Sequence, residues 1–294
     1  MAIIVTGHRG FIGRNILKRL QSMRYKVITI NDDLRYCKLP KADGVIHLAS
    51  NMGGVGFFTT EQFYPILDNV IMDSRIIEHC RKHKMRLFYP SSACAYPVST
   101  MNTGIKLAED LLEEPFEPDQ MYGLEKLFIT KLAEHADFDF RVGVLHTVYG
   151  KGQEYESCKA KFLPQICYKF ATQNEIEVWG DGEQTRTFLH ISDAVEMILE
   201  VFFSNNYFGA VNISSSLEIK IKEVINILSE LSGKTNIKYN KTKPTGPKRR
   251  AVDMNKFNRH YKTRPIINFK EGLSEVFNYV KSNSHTASLL PRKS

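Results

Sequence analysis

Ala2-Ile-Ile-Val-Thr-Gly7-His-Arg-Gly10-Phe-Ile-Gly13 is the stretch that decides the fold. Residues 2–6 are apolar and β-branched, as a buried strand requires. From Ile12 to Met23 apolar residues recur at 12, 16, 17 and 20, the spacing of one helix face. Between strand and helix stand three glycines. A tight turn and a close backbone approach to a pyrophosphate both demand residues without a Cβ, and the helix N-terminus then faces the phosphates. The loop residues Gly7, Arg9, Gly10, Phe11, Ile12 and Gly13 are therefore candidate dinucleotide contacts. Asp32 and Asp33 close the next strand, 27–31, where an acid accepts hydrogen bonds from a ribose diol. Placement of Asp32 there favours NAD, whereas Arg9 in the loop suits the 2′-phosphate of NADP. Leu48 and Ala49, ending a third strand at 44–49, are further cofactor candidates, as are Tyr122 and Lys126.

Outward from this stretch, strand-like and helix-like segments alternate. A helix is expected over 64–79, a short strand over 87–89 stopped by Pro90, a helix over 121–135 and a strand over 141–145. Near-continuous apolar strands in such a rhythm predict an α/β fold, a doubly wound parallel sheet covered on both faces. After Gly150 the rhythm breaks. We therefore expect a dinucleotide-binding domain at 1–150, to which 187–215 returns through a helix at 193–203 and a strand at 211–213. A smaller mixed substrate domain takes 151–186 and 216–281, and 282–294 reads as a frayed tail.

The 294 residues are 43% hydrophobic and 24% charged, enough apolar material for a large core and too much for disorder. No apolar run has the roughly 18 residues of a membrane span, and the strand begins directly after Met1, so the expectation is a cytoplasmic protein without membrane partners. Cys37, Cys80, Cys94, Cys158 and Cys167 form no CxxC pair, so no metal site is expected. Cys37, Cys80, Cys158 and Cys167 read as structural, and His146 and His190 receive no role. Net charge is +8, and residues 234–264 hold eleven Lys or Arg against one acid, Asp253. Without interleaved aromatics or a nucleic-acid motif, that segment suits the phosphates of a small ligand rather than nucleic acid.

The second chemical motif is Tyr122-Gly-Leu-Glu-Lys126. Residues four apart on a helix share a face, so the Lys126 ammonium lies beside the Tyr122 phenol and favours its phenolate. Ser92, ending a strand about thirty residues earlier, would orient the substrate hydroxyl that Tyr122 deprotonates.

With these motifs together, the chain resembles the extended short-chain dehydrogenase/reductases (Rossmann-type) that act on sugar nucleotides. Asn51-Met-Gly-Gly-Val-Gly-Phe57, Ser91-Ser-Ala-Cys94-Ala-Tyr-Pro97, the Tyr122–Lys126 motif and Trp179-Gly-Asp-Gly-Glu-Gln-Thr-Arg186 are similar to the GDP-mannose 3,5-epimerase group. Gly7-His-Arg-Gly10 and Lys243-Pro-Thr-Gly-Pro-Lys-Arg249 are more like the GDP-L-fucose synthase group. The resemblance implies a catalytic set of Ser92, Cys94, Tyr122, Lys126 and Lys161, and substrate contacts from Gly54, Val55, Ser92, Trp179, Arg186 and Arg249. Arg250 and Lys248 are further candidates for the diphosphate. It also implies a homodimer and a GDP-linked substrate. Only about a dozen residues separate Asn31 from Val45, where the family usually has a helix and a further strand, so the adenosine end of the cofactor pocket is abbreviated.

The implied chemistry follows from acidity. A proton on C3 or C5 of an unactivated hexose is too weakly acidic for a side chain to remove. Transient oxidation at C4, with Tyr122 taking the hydroxyl proton and NAD⁺ the hydride, makes both neighbouring carbons acidic. Cys94 and Lys161 would then exchange protons from opposite faces. The expectation is a GDP-mannose 3,5-epimerase-like isomerase. The alternatives are an epimerase/reductase of the fucose-synthase kind, another C4 reductase or epimerase, and, remotely, a non-catalytic dinucleotide-binding protein.

Overall fold

Strand β1 (Ala2–Thr6) lies inside a six-stranded parallel sheet, flanked by β2 (Lys26–Thr29) on one side and β3 (Gly44–His47) on the other. Beyond β3 follow β4 (Arg86–Ser92), β5 (Phe140–Leu145) and β9 (Val211–Ile213), giving the order β2-β1-β3-β4-β5-β9. The chain runs outward from β1 to β2 and then restarts at β3 on the opposite side. Such a reversal leaves a crevice at the carboxyl ends of the strands, where ligands of open α/β sheets bind. The structure, a computed structural model, describes residues 1–53, 57, 61–157, 159–243 and 245–287.

Both faces of the sheet are covered, which is why its central strands are apolar on both sides. Helix α1 (Phe11–Ser22) and α5 (Ile191–Phe203) pack on one face through Ile16, Leu20, Val195 and Phe202. On the other face lie α2 (Phe63–His83) and α3 (Gln120–Glu134), through Ile76, Cys80 and Ile129. Pro90 does not stop β4. Pairing with β3 ends at Phe88, and from there the strand is bonded to β5 alone, so a residue without an N–H is tolerated. No helix or strand is formed between β2 and β3, and that connection is pinned to α2 through Arg35–Asp68, Arg75 to the Cys37 carbonyl and His79 to the Pro40 carbonyl.

A second apolar cluster joins α4 (Phe162–Thr172), α6 (Ile221–Ser232) and α8 (Phe269–Ala287) through Leu163, Phe170, Val224, Leu228, Leu273 and Phe277. Its strands form small sheets, among them β8 (Thr185–His190) with β10 (Glu218–Lys220) antiparallel and β12 (Arg249–Arg250) parallel. Helix α8 continues past Ser282 to Ala287, so the expected fraying does not begin at Ser282. Among the described residues, no helix is long and apolar enough to cross a membrane.

Candidate functional site

The glycine turn is built as its sequence demands. Gly7 adopts φ +63°, and a Cβ on it would stand 2.6 Å from the Ala49 nitrogen. A Cβ on Gly13 would stand 2.1 Å from the Gly7 carbonyl oxygen, so the first turn of α1 lies directly on the loop. Gly10 is the N-cap of α1 and brings no side chain to satisfy the free N–H groups of that turn. These exposed donors and the cradle without Cβ atoms fit a dinucleotide diphosphate. Leu48 and Ala49 follow β3 and hold their N–H groups to the Thr6 hydroxyl at 3.0 and 3.2 Å. Past β2, Asp32 is exposed, and Arg9 donates to Asn31 at 2.8 Å. Arg35 is committed to Asp33 and Asp68, and the hydrogen bonds of Arg35 pull the Asp33 carboxyl down to about 2.

At the carboxyl end of β4 the chain turns through a short 3₁₀ segment, Ala93–Ala95, capped by Ser92, whose hydroxyl accepts the Cys94 N–H at 3.2 Å. The first turn of α3 lies against this segment. Asp119 N–H donates to the Cys94 carbonyl at 2.8 Å, and Gly123 leaves room for that carbonyl. This packing brings the Tyr122 phenol to the Ser92 hydroxyl, with which it is hydrogen-bonded. Burial pushes the phenol up to about 12, while the Lys126 ammonium and the Ser92 hydrogen bond pull it down and Cys94 and Glu125 act upward. The Lys126 ammonium stands 5.7 Å from the Tyr122 ring centre.

Cys94 is half-buried and has neighbours on several sides. The Arg250 guanidinium donates to its sulfur at 3.6 Å and is paired with Asp119. Lys161, the N-cap of α4, has its ammonium pKa lowered by burial, against which Cys94 acts. Burial and the nearby Arg250 bring Arg186 down to about 9, and its guanidinium donates to the carbonyls of Thr185 and Thr245. Cys94 thus interacts with Tyr122, Lys161, Arg186 and Arg250 together.

The paired arginines come from strand register. Arg250 of β12 lies beside Arg186 of β8, and Arg249 beside Thr185. Side chains alternate along a strand, so Arg249 points away from Arg250 and is taken up by Glu218 at 2.7 Å. Arg250 is the residue of the two that faces Cys94. Most of the basic segment is likewise spent elsewhere, with Lys234 donating to the Gln173 carbonyl and Lys256 to that of Ala210. Trp179 sits half-exposed at the end of β7 (Ile176–Trp179), with the Lys243 ammonium 5.8 Å from its ring centre. Gly54, Val55 and Cys158 lie outside the described residues. Among the described residues no group of His, Cys, Asp or Glu is arranged to hold a metal ion.

Four buried polar residues close to Lys126 carried no expectation from the sequence: His47, Asp73, Tyr89 and Glu125. The signal was present for one. The buried stripe of α2 reads Ile66, Asn69, Asp73, Ile76, Cys80, and an acid within it needs a partner inside.

Comparison with known proteins gives concordant results. The chain is 30% identical to the GDP-mannose 3,5-epimerase of Arabidopsis thaliana, over 96% of this chain and 82% of that protein. It is 25% identical to the GDP-L-colitose synthase of Yersinia pseudotuberculosis, over 95% of this chain and 97% of that one. Its fold matches the UDP-glucose 4-epimerase of Thermotoga maritima with a TM-score of 0.84 at 19% identity, over 97% of this chain and all of the other. Residues 3–214 match the NAD dependent epimerase/dehydratase family, and with the glycine cradle and the Tyr122–Lys126 pair already in place, the chain belongs to that family.

Proposed function

We propose that this sugar-nucleotide epimerase/dehydratase/reductase of the short-chain dehydrogenase/reductase type is a 3,5-epimerase that acts on a GDP-mannose-type substrate through transient oxidation at C4. The observation that carries the reading is Cys94, which acts electrostatically on both Tyr122 and Lys161. A plain C4 reductase or epimerase needs Tyr122 and Ser92 but has no use for a thiol and an amine beside them. Likeness to a GDP-mannose 3,5-epimerase at 30% identity supports the same substrate class.

Gly7, Gly10, Gly13, Asp32, Leu48 and Ala49 would hold the dinucleotide, which when bound supplies the oxidant and then the reductant at C4. Tyr122, hydrogen-bonded to Ser92, takes the C4 hydroxyl proton, and the Lys126 cation stabilises the phenolate that does so. With a carbonyl at C4, the protons on C3 and C5 become acidic. Cys94, to whose sulfur the Arg250 guanidinium donates, removes and returns one. Lys161 serves the other face, because burial weakens its hold on a proton. Arg186 and Arg250 bind the substrate diphosphate, for which paired guanidinium donors are suited.

A homodimer in the cytoplasm is part of the same reading. Phe63, Leu67 and Val70 on α2 and Met121, Leu124 and Phe128 on α3 are exposed at helical spacing. Such a patch suits the self-complementary interface of a two-fold dimer.

Incubation with GDP-mannose in deuterated water, without added reductant, tests the function. The expected result is deuterium at C3 and C5 of the recovered sugar nucleotide and no net change in the cofactor. Stoichiometric consumption of NADPH with a 4-keto substrate, and no exchange into GDP-mannose, would establish the reductase instead.

A further inference from the structure

The reaction outlined above uses one side of Lys126. The other side is enclosed by His47 on β3, Asn69 and Asp73 on α2, Tyr89 on β4 and Glu125 on α3, which with Lys126 are 0–4% exposed. Two carboxyl groups and one ammonium therefore share a dry space. An interior of that kind tolerates balanced charge and penalises any excess.

Hydrogen-bond counting shows that the single Tyr89 proton cannot serve two carboxylates, and distances indicate which one it serves. The Thr6 hydroxyl accepts the N–H groups of Leu48 and Ala49, so its own proton goes to its remaining partner, His47 Nδ1, at 2.7 Å. The His47 proton is then on Nε2, directed at Asp73 Oδ1 at 2.9 Å. Asp73 Oδ2 accepts from the Tyr89 hydroxyl at 2.8 Å. Asp73 thus faces two donors. Tyr89 has one proton and two lone pairs. The proton goes to the nearer acceptor, Asp73 Oδ2, and Lys126 Nζ donates into one lone pair at 2.7 Å. Its third neighbour is Glu125 Oε1 at 3.0 Å. A carboxylate there would face a lone pair, whereas a carboxylic acid donates into it. Glu125 Oε2 accepts from the Asn69 amide at 3.2 Å, and Oε1 lies 2.9 Å from Lys126 Nζ.

We propose that Glu125 is held as the neutral acid and Asp73 as the carboxylate, so that together they set a single negative charge against the Lys126 ammonium. Electrostatics agree with the count. Burial pushes Glu125 up and Asp73 adds to this, against Lys126. Burial acts upward on Asp73 as well, but Lys126, His47 and Tyr89 outweigh it and hold it low. Burial acts downward on the Lys126 ammonium, and Asp73 is the largest influence acting upward against it. Among the described residues, Tyr122, Ser91, Ser92 and Thr130 are further polar groups around α3 at this level, and Cys94 acts on Tyr122 from the cleft. One negative charge keeps Lys126 protonated. A second would cancel the field that Lys126 exerts on Tyr122. Asp73 and Glu125 are therefore positioning residues for Lys126, an assignment that rests on the proposed role of the Tyr122–Lys126 pair.

Infrared difference spectroscopy on the full chain, without cofactor, tests the charge state separately from activity. At pH 7 the spectrum of the unsubstituted protein minus that of Glu125→Gln is expected to show one protonated-carboxyl band. Glu109, also buried and pushed up, cancels in the difference. In Asp73→Asn the same band is expected to vanish although Glu125 is present, because Glu125 then ionises as the sole counter-charge to Lys126. That second variant keeps the test alive if Glu125→Gln fails to fold. A flat difference spectrum with Glu125→Gln, or a band that survives in Asp73→Asn, overturns the proposal. The pH profile of cofactor reduction adds a functional reading. Glu125→Gln is expected to leave the position of the acid limb in place, whereas loss of a charged Glu125 would move it to lower pH. If the band is present yet Tyr122→Phe turns over normally, the charge assignment stands and the catalytic reading falls.

Discussion

A Cβ placed on Gly123 would stand 2.2 Å from the carbonyl oxygen of Cys94. The absence of that one atom lets α3 deliver Tyr122 to Ser92, so the glycine inside the Tyr122–Lys126 motif is a packing requirement of the site. Gly123→Ala must push α3 away from the 3₁₀ segment at Ala93–Ala95. We expect a loss of about 1–3 kcal/mol in stability together with a fall in turnover, measured by chemical denaturation and by product formation. Full activity at undiminished stability would show that the contact is soft.

Tyr122→Phe removes one hydroxyl and little volume. Turnover should fall by about 10²–10⁴-fold, the usual worth of a positioned acid–base group, with the melting temperature close to that of the parent. In the parent, cofactor reduction should climb as pH rises from about 6 to about 9, since the working form is the phenolate and burial holds its proton tightly. Lys126→Met should displace that limb to still higher pH. A limb at unchanged pH in Lys126→Met would separate the two residues.

Cys94→Ser and Lys161→Met should each cut deuterium incorporation into the sugar by about 10²-fold or more, while a single round of cofactor reduction persists. The carbon that stops exchanging should differ between the two variants, and NMR of the product assigns it. Exchange at parental rates in both would leave Cys94 as a packing residue and remove the 3,5-epimerase reading.

Neighbouring arginines should behave oppositely. Arg250→Ala is expected to raise the substrate KM by about tenfold or more, through loss of a charge-assisted contact. Arg249→Ala should leave KM near its parental value and cost about 1 kcal/mol of stability through the half-exposed pair with Glu218. Steady-state kinetics and thermal melts of the two variants decide it.

His146 supplies a prediction on pH and stability. Burial holds its pKa down to about 4, opposed by a hydrogen bond with Asn212, and its Nδ1 has no hydrogen-bond partner among the described residues. The folded state therefore favours the neutral ring, while the unfolded chain takes up a proton near pH 6.5. Stability from this group is complete above about pH 6.5 and is lost as pH falls toward 4, by about 3 kcal/mol at most. Denaturation across this range should show the loss, and His146→Asn should flatten it. A profile with the same slope in that variant would assign the loss to other groups.

The sheet, the glycine turn and the Tyr122–Lys126 pair were legible because each is a local pattern, read within a dozen residues. The family resemblance drawn from those patterns is borne out by the match over residues 3–214. What the sequence hid depends on partners distant in the chain. Pro90 looks like the end of a strand unless β3 is known to stop pairing at Phe88. Arg249 and Arg250 cannot be told apart until β12 is laid on β8. Asp73, twenty-six residues from His47 and fifty-two from Glu125, gains its meaning when three elements converge on Lys126.

The pairing of β12 with β8 also bears on how such a protein changes over generations. Two residues make up β12, and the neighbour that faces inward is chosen by odd or even count alone. Adding a single residue in the loop that leads from β11 (Ile237–Asn240) to β12 would move Arg249 into the place of Arg250 if the pairing were kept. Both are arginines, so the guanidinium beside Cys94 would survive the slip. The doublet makes this part of the site tolerant of a one-residue insertion, a robustness that a lone arginine could not provide.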